Sequence, residues 1–117
     1  MKSSEFKQLV KRISALGTKG MILVIMVSSA GVAGAAALST GLLVLGPGGM
    51  IGGMTIMGLL LLISRAINEY GLEAILEAII KEMQSKGRSK QSIKNEISEY
   101  WIAAGLKHRL YEAVDKA

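Results

Sequence analysis

An all-α membrane hairpin is the architecture this sequence predicts, and three observations carry it. From Gly20 to Ser64 the chain runs 45 residues without a charge. The Gly46-Pro47-Gly48-Gly49 run falls near the middle of that stretch, where a tight turn would divide it. Charged, helix-periodic segments flank it on both sides. A chain of 117 residues has no way to hide so much apolar surface from water, because small domains bury only about 60–70% of what unfolding exposes. Eighteen or more uncharged apolar residues already make a transmembrane candidate, and this stretch has room for two.

Composition points the same way. Half the residues are hydrophobic but only 4% are aromatic, and 14 are glycine. Ala, Gly, Leu, Ile and Met dominate, as where helices approach closely in lipid. The absence of cysteine excludes disulfides, zinc-thiolate sites and cysteine nucleophiles.

Three segments follow. Residues 1–19 form a basic amphipathic helix: Ser3 can cap it, Glu5 suits its first turn, and Gly17 can end it. Phe6, Leu9, Val10, Ile13 and Leu16 recur at helical spacing opposite Lys7, Lys11 and Arg12, so the helix is expected to lie among lipid headgroups. A solvated helix packed on the C-terminal region is the alternative. Lys7, Lys11, Arg12, Lys19 and Arg65 are the expected headgroup contacts. The basic start, the apolar run and Ala33-Gly34-Ala35 also resemble a secretory signal peptide, but the segment is expected to be retained.

Residues 20–64 form the hairpin, with spans over about 21–45 and 50–64 and the turn Gly46, Pro47 over 46–49. In the first span Ser29, Ala33, Ala37 and Gly41 fall at steps of four, as do Gly31, Ala35 and Ser39, and Gly34 adds to this small-residue surface. Such faces let another helix's backbone approach closely. Gly48/Gly52 and Gly49/Gly53 add two further pairs beside the turn. The second span holds 15 residues, roughly 22 Å of helix against about 30 Å of hydrocarbon. The turn must therefore enter the bilayer's edge or Arg65 must snorkel.

Residues 65–117 form a cytoplasmic helical unit with helices over about 65–86, 89–103 and 105–116. Leu72, Ile75, Leu76, Ile79, Ile80 and Met83 make one apolar stripe, and Arg65, Glu69, Glu73, Glu77 and Lys81 a charged one. The second span is expected to continue into the first of these helices. Ser89 can cap the second, whose Ile93, Ile97, Tyr100 and Trp101 share a face, while Leu106, Leu110 and Val114 line the third. The residues expected to pack this unit are Leu72, Ile75, Ile79, Ile93, Ile97, Trp101, Leu106 and Leu110.

Both flanks of the hairpin carry Lys and Arg and the turn has none, so both termini are expected in the cytoplasm, at a bacterial inner membrane or a viral membrane. No enzyme is expected. His108 stands alone without a ligand cluster, the Gly-rich turn lacks the Lys-Ser/Thr of a phosphate loop, and no triad or carboxylate pair can be assembled. No catalytic, cofactor or metal residue is assigned, and no cofactor is expected. The basic run Lys86, Arg88, Lys90, Lys94 is diluted by Glu96, Glu99, Glu112 and Asp115, so nucleic acid is not an expected partner.

The functional expectation is a small integral membrane protein that self-associates through its Gly/Ala-rich faces as a homo-oligomer. In layout it resembles the two-span holins of phages, with both termini inside, a short outer turn and a charged tail, and that resemblance of topology implies a pore or lesion. A structural or anchoring role within a larger assembly (a virion membrane, a secretion or conjugation apparatus, an enzyme complex) is the alternative, with a protein partner on the C-terminal helices. A toxin-immunity protein of the membrane is a third. Membrane lipids are partners in all three.

Overall fold

The computed structural model describes residues 1–42, 50–51, 54–100 and 102–117, with side chains except at 38–42, 50, 51 and 54. Among them are six helices: α1 (Ser3–Ser14), α2 (Thr18–Leu42), α3 (Ile56–Tyr70), α4 (Leu72–Ser85), α5 (Lys90–Glu99) and α6 (Ala104–Lys116). Between α2 and α3, β1 (Met50–Ile51) pairs antiparallel with β2 (Met54–Thr55), Met50 opposite Thr55 and Ile51 opposite Met54.

The centre of the molecule is the first half of α2. Met21, Ile22, Leu23 and Val24 are wholly buried, and Ile25 and Val27 nearly so. A helix apolar on all sides must be surrounded, by lipid or by protein. Here the surroundings are protein. The core also draws Leu9, Val10 and Ile13 from α1, Leu59, Leu60 and Ile63 from α3, Ile75, Ile79, Ile80 and Met83 from α4, Ile93 and Ile97 from α5, and Leu110 and Val114 from α6. Each large side chain buried there contributes about 1.5–3 kcal/mol relative to exposure. The amphipathic α1 therefore does not reserve its apolar face for lipid. That face is turned into the core, α1 packs chiefly on α4, and Lys7 and Lys11 stay exposed.

Two glycines reshape the expected rods. Gly31, at φ 75° and ψ 176°, interrupts α2. Only glycine tolerates that combination without strain. A straight 25-residue helix would be about 37 Å long, more than the molecule's greatest extent of 33 Å. Thr18–Ala37 remains long and apolar enough to cross a membrane, with 44% of its most apolar stretch buried within the protein. Gly71, at φ 93°, divides what the charge and apolar stripes read as one continuous helix into α3 and α4. The second apolar segment is also shorter than 50–64. Residues Met50–Ile51 and Met54–Thr55 are extended, and α3 starts only at Ile56, where Thr55 Oγ1 accepts the Gly58 N–H at 3.1 Å.

The other caps are local. The Lys2 N–H donates to Glu5 Oε1 at 3.4 Å, so the cap of α1 lies at Lys2 rather than Ser3. Ser89 Oγ accepts the Ser92 N–H at 3.0 Å at the start of α5. Gly105 lies in the first turn of α6. Trp101 lies outside the described residues.

The close crossing of α1 and α2 depends on Gly20, where an added Cβ would meet the Ile13 carbonyl oxygen at 2.3 Å and Ile13 Cγ2 at 2.7 Å. Gly20→Ala is expected to lower the unfolding free energy by about 1–3 kcal/mol or more, as overpacking against backbone does. Gly105→Ala, with open space at its Cβ, should instead raise it by up to about 1 kcal/mol. Chemical denaturation followed by circular dichroism separates the two.

Candidate functional site

Beyond the buried half of α2 the surface changes character. Ser28, Ser29, Ala30 and Gly31 are exposed, Val32 and Gly34 half-buried, Ala33 and Ala37 exposed, and Ala35 buried. α2 and α3 form the most extensive helix pairing in the molecule. α3 buries Leu59, Leu60 and Ile63 on one side and exposes Met57 (45%) and Leu61 (56%) on the other. These two residues, one turn apart, and Tyr70 are the exposed large hydrophobic residues among the described ones. The α2–α3 pair thus presents a surface that is accessible and wholly uncharged, since no charged residue lies between Gly20 and Ser64.

The small-residue faces divide. Ala35 is packed inside the chain, whereas Ser29 and Ala33 face outward on either side of the Gly31 break. The Ser29 hydroxyl donates to its own helix at the Ile25 carbonyl, 3.0 Å away, so it needs no outside partner. Gly41 lies in the last turns of α2. Gly46, Pro47, Gly48, Gly49, Gly52 and Gly53 fall outside the described residues. The stripe of Ser29, Ala33, Ala37 and Gly41 is not the straight ridge its spacing implies, because Gly31 turns the chain within it.

A polar cluster at the other end of α2 fixes it to the body. Gly17, at φ 66°, turns the chain from α1 into α2. The first amide of α2, the Thr18 N–H, donates to Glu96 Oε1 on α5 at 3.2 Å, a contact across 78 residues of sequence. Arg88 Nη1 lies 2.6 Å from Glu96 Oε2, and the Tyr100 hydroxyl donates to Glu96 Oε1 at 3.3 Å. A carboxylate at the start of α2 also complements the helix dipole. Burial works to raise the Glu96 carboxyl, but the hydrogen bonds from Arg88 and from the Thr18 N–H, with the Arg88 charge, hold it below the usual carboxylate range. Burial and the Glu96 charge push the Tyr100 phenol up. Sequence reasoning does not find this cluster, because its members have no local spacing relation. Thr18 Oγ1 is buried without a hydrogen-bond partner, alone in this among the described side chains.

A second clamp joins α1 to α3. The Met1 ammonium pairs with Glu69 at 2.7 Å, the Tyr70 hydroxyl donates to the Met1 carbonyl at 3.2 Å, and the Phe6 and Tyr70 rings lie 4.2 Å apart. The hydrogen bond from that ammonium is the main cause that lowers the Glu69 carboxyl, with Arg65 adding to it.

Of the expected headgroup contacts, Lys7, Lys11 and Arg65 are exposed and Arg12 and Lys19 half-buried; Arg65 lies 3.7 Å from Glu69. Of the expected C-terminal packing residues, Ile75, Ile79, Ile93, Ile97 and Leu110 are buried and Leu72 and Leu106 half-buried. They do not form a separate unit, since they close over α1 and α2. Between α4 and α6 a cleft of about 150 Å³ is floored by Leu72, Leu76 and Ala113 and rimmed by Glu73, Glu77, Arg109, Glu112 and Lys116. Its rim charges are of both signs. His108 is exposed and bonded to Glu112 at 2.8 Å, and no group of three or more His, Asp or Glu among the described residues is placed to hold a metal.

No known protein family, curated protein or solved structure matches this chain.

Glu96→Ala is expected to lower the unfolding free energy at pH 7 by about 2 kcal/mol, the range of hydrogen bonds to charged groups, and Glu96→Gln, which keeps an acceptor, by less. The sign with pH follows from the lowered carboxyl. The contribution of its charge is present above the unfolded carboxylate pKa, 4.5, and disappears as pH falls through the lower folded value. Denaturation curves of the parent and Glu96→Gln should therefore converge in acid below that window.

Proposed function

We infer that this is a non-enzymatic membrane-anchoring protein whose helical body stays at the bilayer surface while the outer half of the α2–α3 pair enters the hydrocarbon and brings copies together there. The observation that carries the reading is the accessible, charge-free surface running from Ser28 through Ala33 to Met57 and Leu61. Water gives no reason for such a surface, and contiguous exposed apolar patches mark sites of contact with lipid or protein.

Length sets the depth. Val32 to Leu42 is about 16 Å of helix and Ile56 to Ser64 about 13 Å. Each matches roughly half of a hydrocarbon core about 30 Å thick. A hairpin entering one leaflet returns both ends to the same side, which accords with Lys and Arg on both flanks. Ser29 and Ala33, small and outward-facing, offer a close-approach surface to a second copy.

Anchoring is favoured over a holin-like pore on a specific ground. A pore lined by all of α2 requires Met21–Val27 to leave the core. Ile13, Ile79, Ile80 and Ile93, now buried, would then face the emptied centre of the body. Anchoring requires no such rearrangement.

The wild-type protein is expected to resist carbonate extraction from membranes and to float with neutral vesicles. Leu61→Glu should lower that partitioning at least about thirtyfold, since an acidic residue costs roughly 2–3 kcal/mol within hydrocarbon. Ala33→Leu should reduce cross-linking between copies while leaving membrane binding intact. In a chain without native cysteine, Thr55→Cys reports depth cleanly. A leaflet-deep hairpin leaves it unlabelled by impermeant reagents from the far side, and labelling there would establish two full crossings instead.

A further inference from the structure

We propose that the outer face of α1 docks on anionic lipid headgroups, so that the body binds the membrane by charge beside the hairpin that binds it by apolar contact. The proposal rests on the anchoring reading and names the lipid class that reading leaves open.

The cations of this protein differ in their partners. Arg65, Lys81, Lys86, Arg88, Lys94 and Lys116 each have a carboxylate within 4.0 Å. Among the described residues Lys90, Lys107 and Arg109 have no ion pair, though Lys90 Nζ donates to the Ala117 carbonyl and Lys107 Nζ to the Ser98 carbonyl; on the N-terminal segment Lys2, Lys7, Lys11 and Lys19 have none. Those four make up most of the positive charge of residues 1–19, which carry +4 of the chain's net +5. Lys7 and Lys11 stand one turn apart on α1 and are exposed, while Leu9, Val10 and Ile13 of the same helix are buried in the core. The fold therefore uses up one face of α1 and leaves the other as uncompensated positive charge.

Its position selects lipid over the other polyanions. On its flank, Glu5, Gln8, Leu9 and Arg12 of α1 border Leu62 of α3, the neighbour of exposed Leu61. The charged face and the apolar surface thus share an edge. Binders of single-stranded nucleic acid pair basic residues with free aromatic platforms, but the aromatic ring of α1, Phe6, is already occupied against Tyr70. Lysines without fixed partners suit a diffuse anionic surface, where each strengthens binding about fivefold and the attraction fades within a Debye length.

The full-length protein should be titrated with neutral phosphatidylcholine vesicles and with vesicles containing phosphatidylglycerol. Anionic vesicles are expected to bind at least tenfold more tightly, and the difference should vanish toward 1 M salt. The variant Lys7→Glu/Lys11→Glu should lose that preference, a drop of about tenfold or more, while its binding to neutral vesicles is unchanged. Lys107→Glu/Arg109→Glu on α6 makes the same change in net charge and should keep most of the preference. Equal losses in the two variants, or no preference for anionic vesicles in the parent, would overturn the proposal. Binding to duplex DNA that is tighter than to anionic vesicles and lost in the α1 variant would overturn it as well. Failure of the anchoring reading is seen separately, as absent binding to neutral vesicles or indifference of that binding to Leu61→Glu.

Discussion

Seven consecutive apolar residues, Met21 to Val27, cannot share a surface with water in any direction, and the rest of the structure is arranged around that constraint. α1 crosses them at Gly20, α4 closes over α1, and α5 and α6 contribute Ile93, Ile97, Leu110 and Val114 to the same core. The N- and C-terminal thirds of the chain are thereby one body. Each C-terminal helix is too short to hold its fold in isolation, and a shared core answers the difficulty that small domains have in burying enough surface. The polar cluster at Glu96 serves the same end by terminating the apolar helix inside protein, where an uncapped amide would otherwise cost about 1–3 kcal/mol.

α2 has two environments, enclosed over Met21–Val27 except for half-buried Met26, and small-sided and largely accessible from Ser28 to Ala37, with Gly31 turning the chain within the second stretch. The change of direction there allows one uncharged run to serve both as core and as exposed surface. α3 shows the same division across its width rather than along its length, with Leu59, Leu60 and Ile63 turned inward and Met57 and Leu61 outward.

The helical class, the apolar faces of α1 and α4, and the isoleucines of α5 are all readable from spacing, because amphipathic periodicity records which side is buried without saying by what. That second question is where reading fails. The 45-residue uncharged run satisfies the length test for lipid, yet burial by protein satisfies the same composition. Hydropathy cannot separate them. The break at Gly71 is hidden because Arg65, Glu69, Glu73 and Glu77 keep step across it, whereas backbone φ is not encoded in charge spacing. The α1–α4 packing is readable only as the alternative to an interfacial helix, since a basic face suits either, and the Thr18–Glu96 contact leaves no local signal at all.

The long separation between Thr18 and Glu96 has a consequence for how the protein comes into being. At roughly 5–20 residues per second the ribosome adds Thr18, the start of α2, about 4–15 s before it reaches the acceptor that caps it. During that interval Met21–Val27 has left the peptidyl-transferase centre while the isoleucines of α4 and α5 that enclose it have yet to be made. A nascent chain in this condition leaves uncovered the residues, Met21–Ile25 and Val27, that the finished protein buries. The segment therefore stays uncovered through synthesis until α4 and α5 close over it.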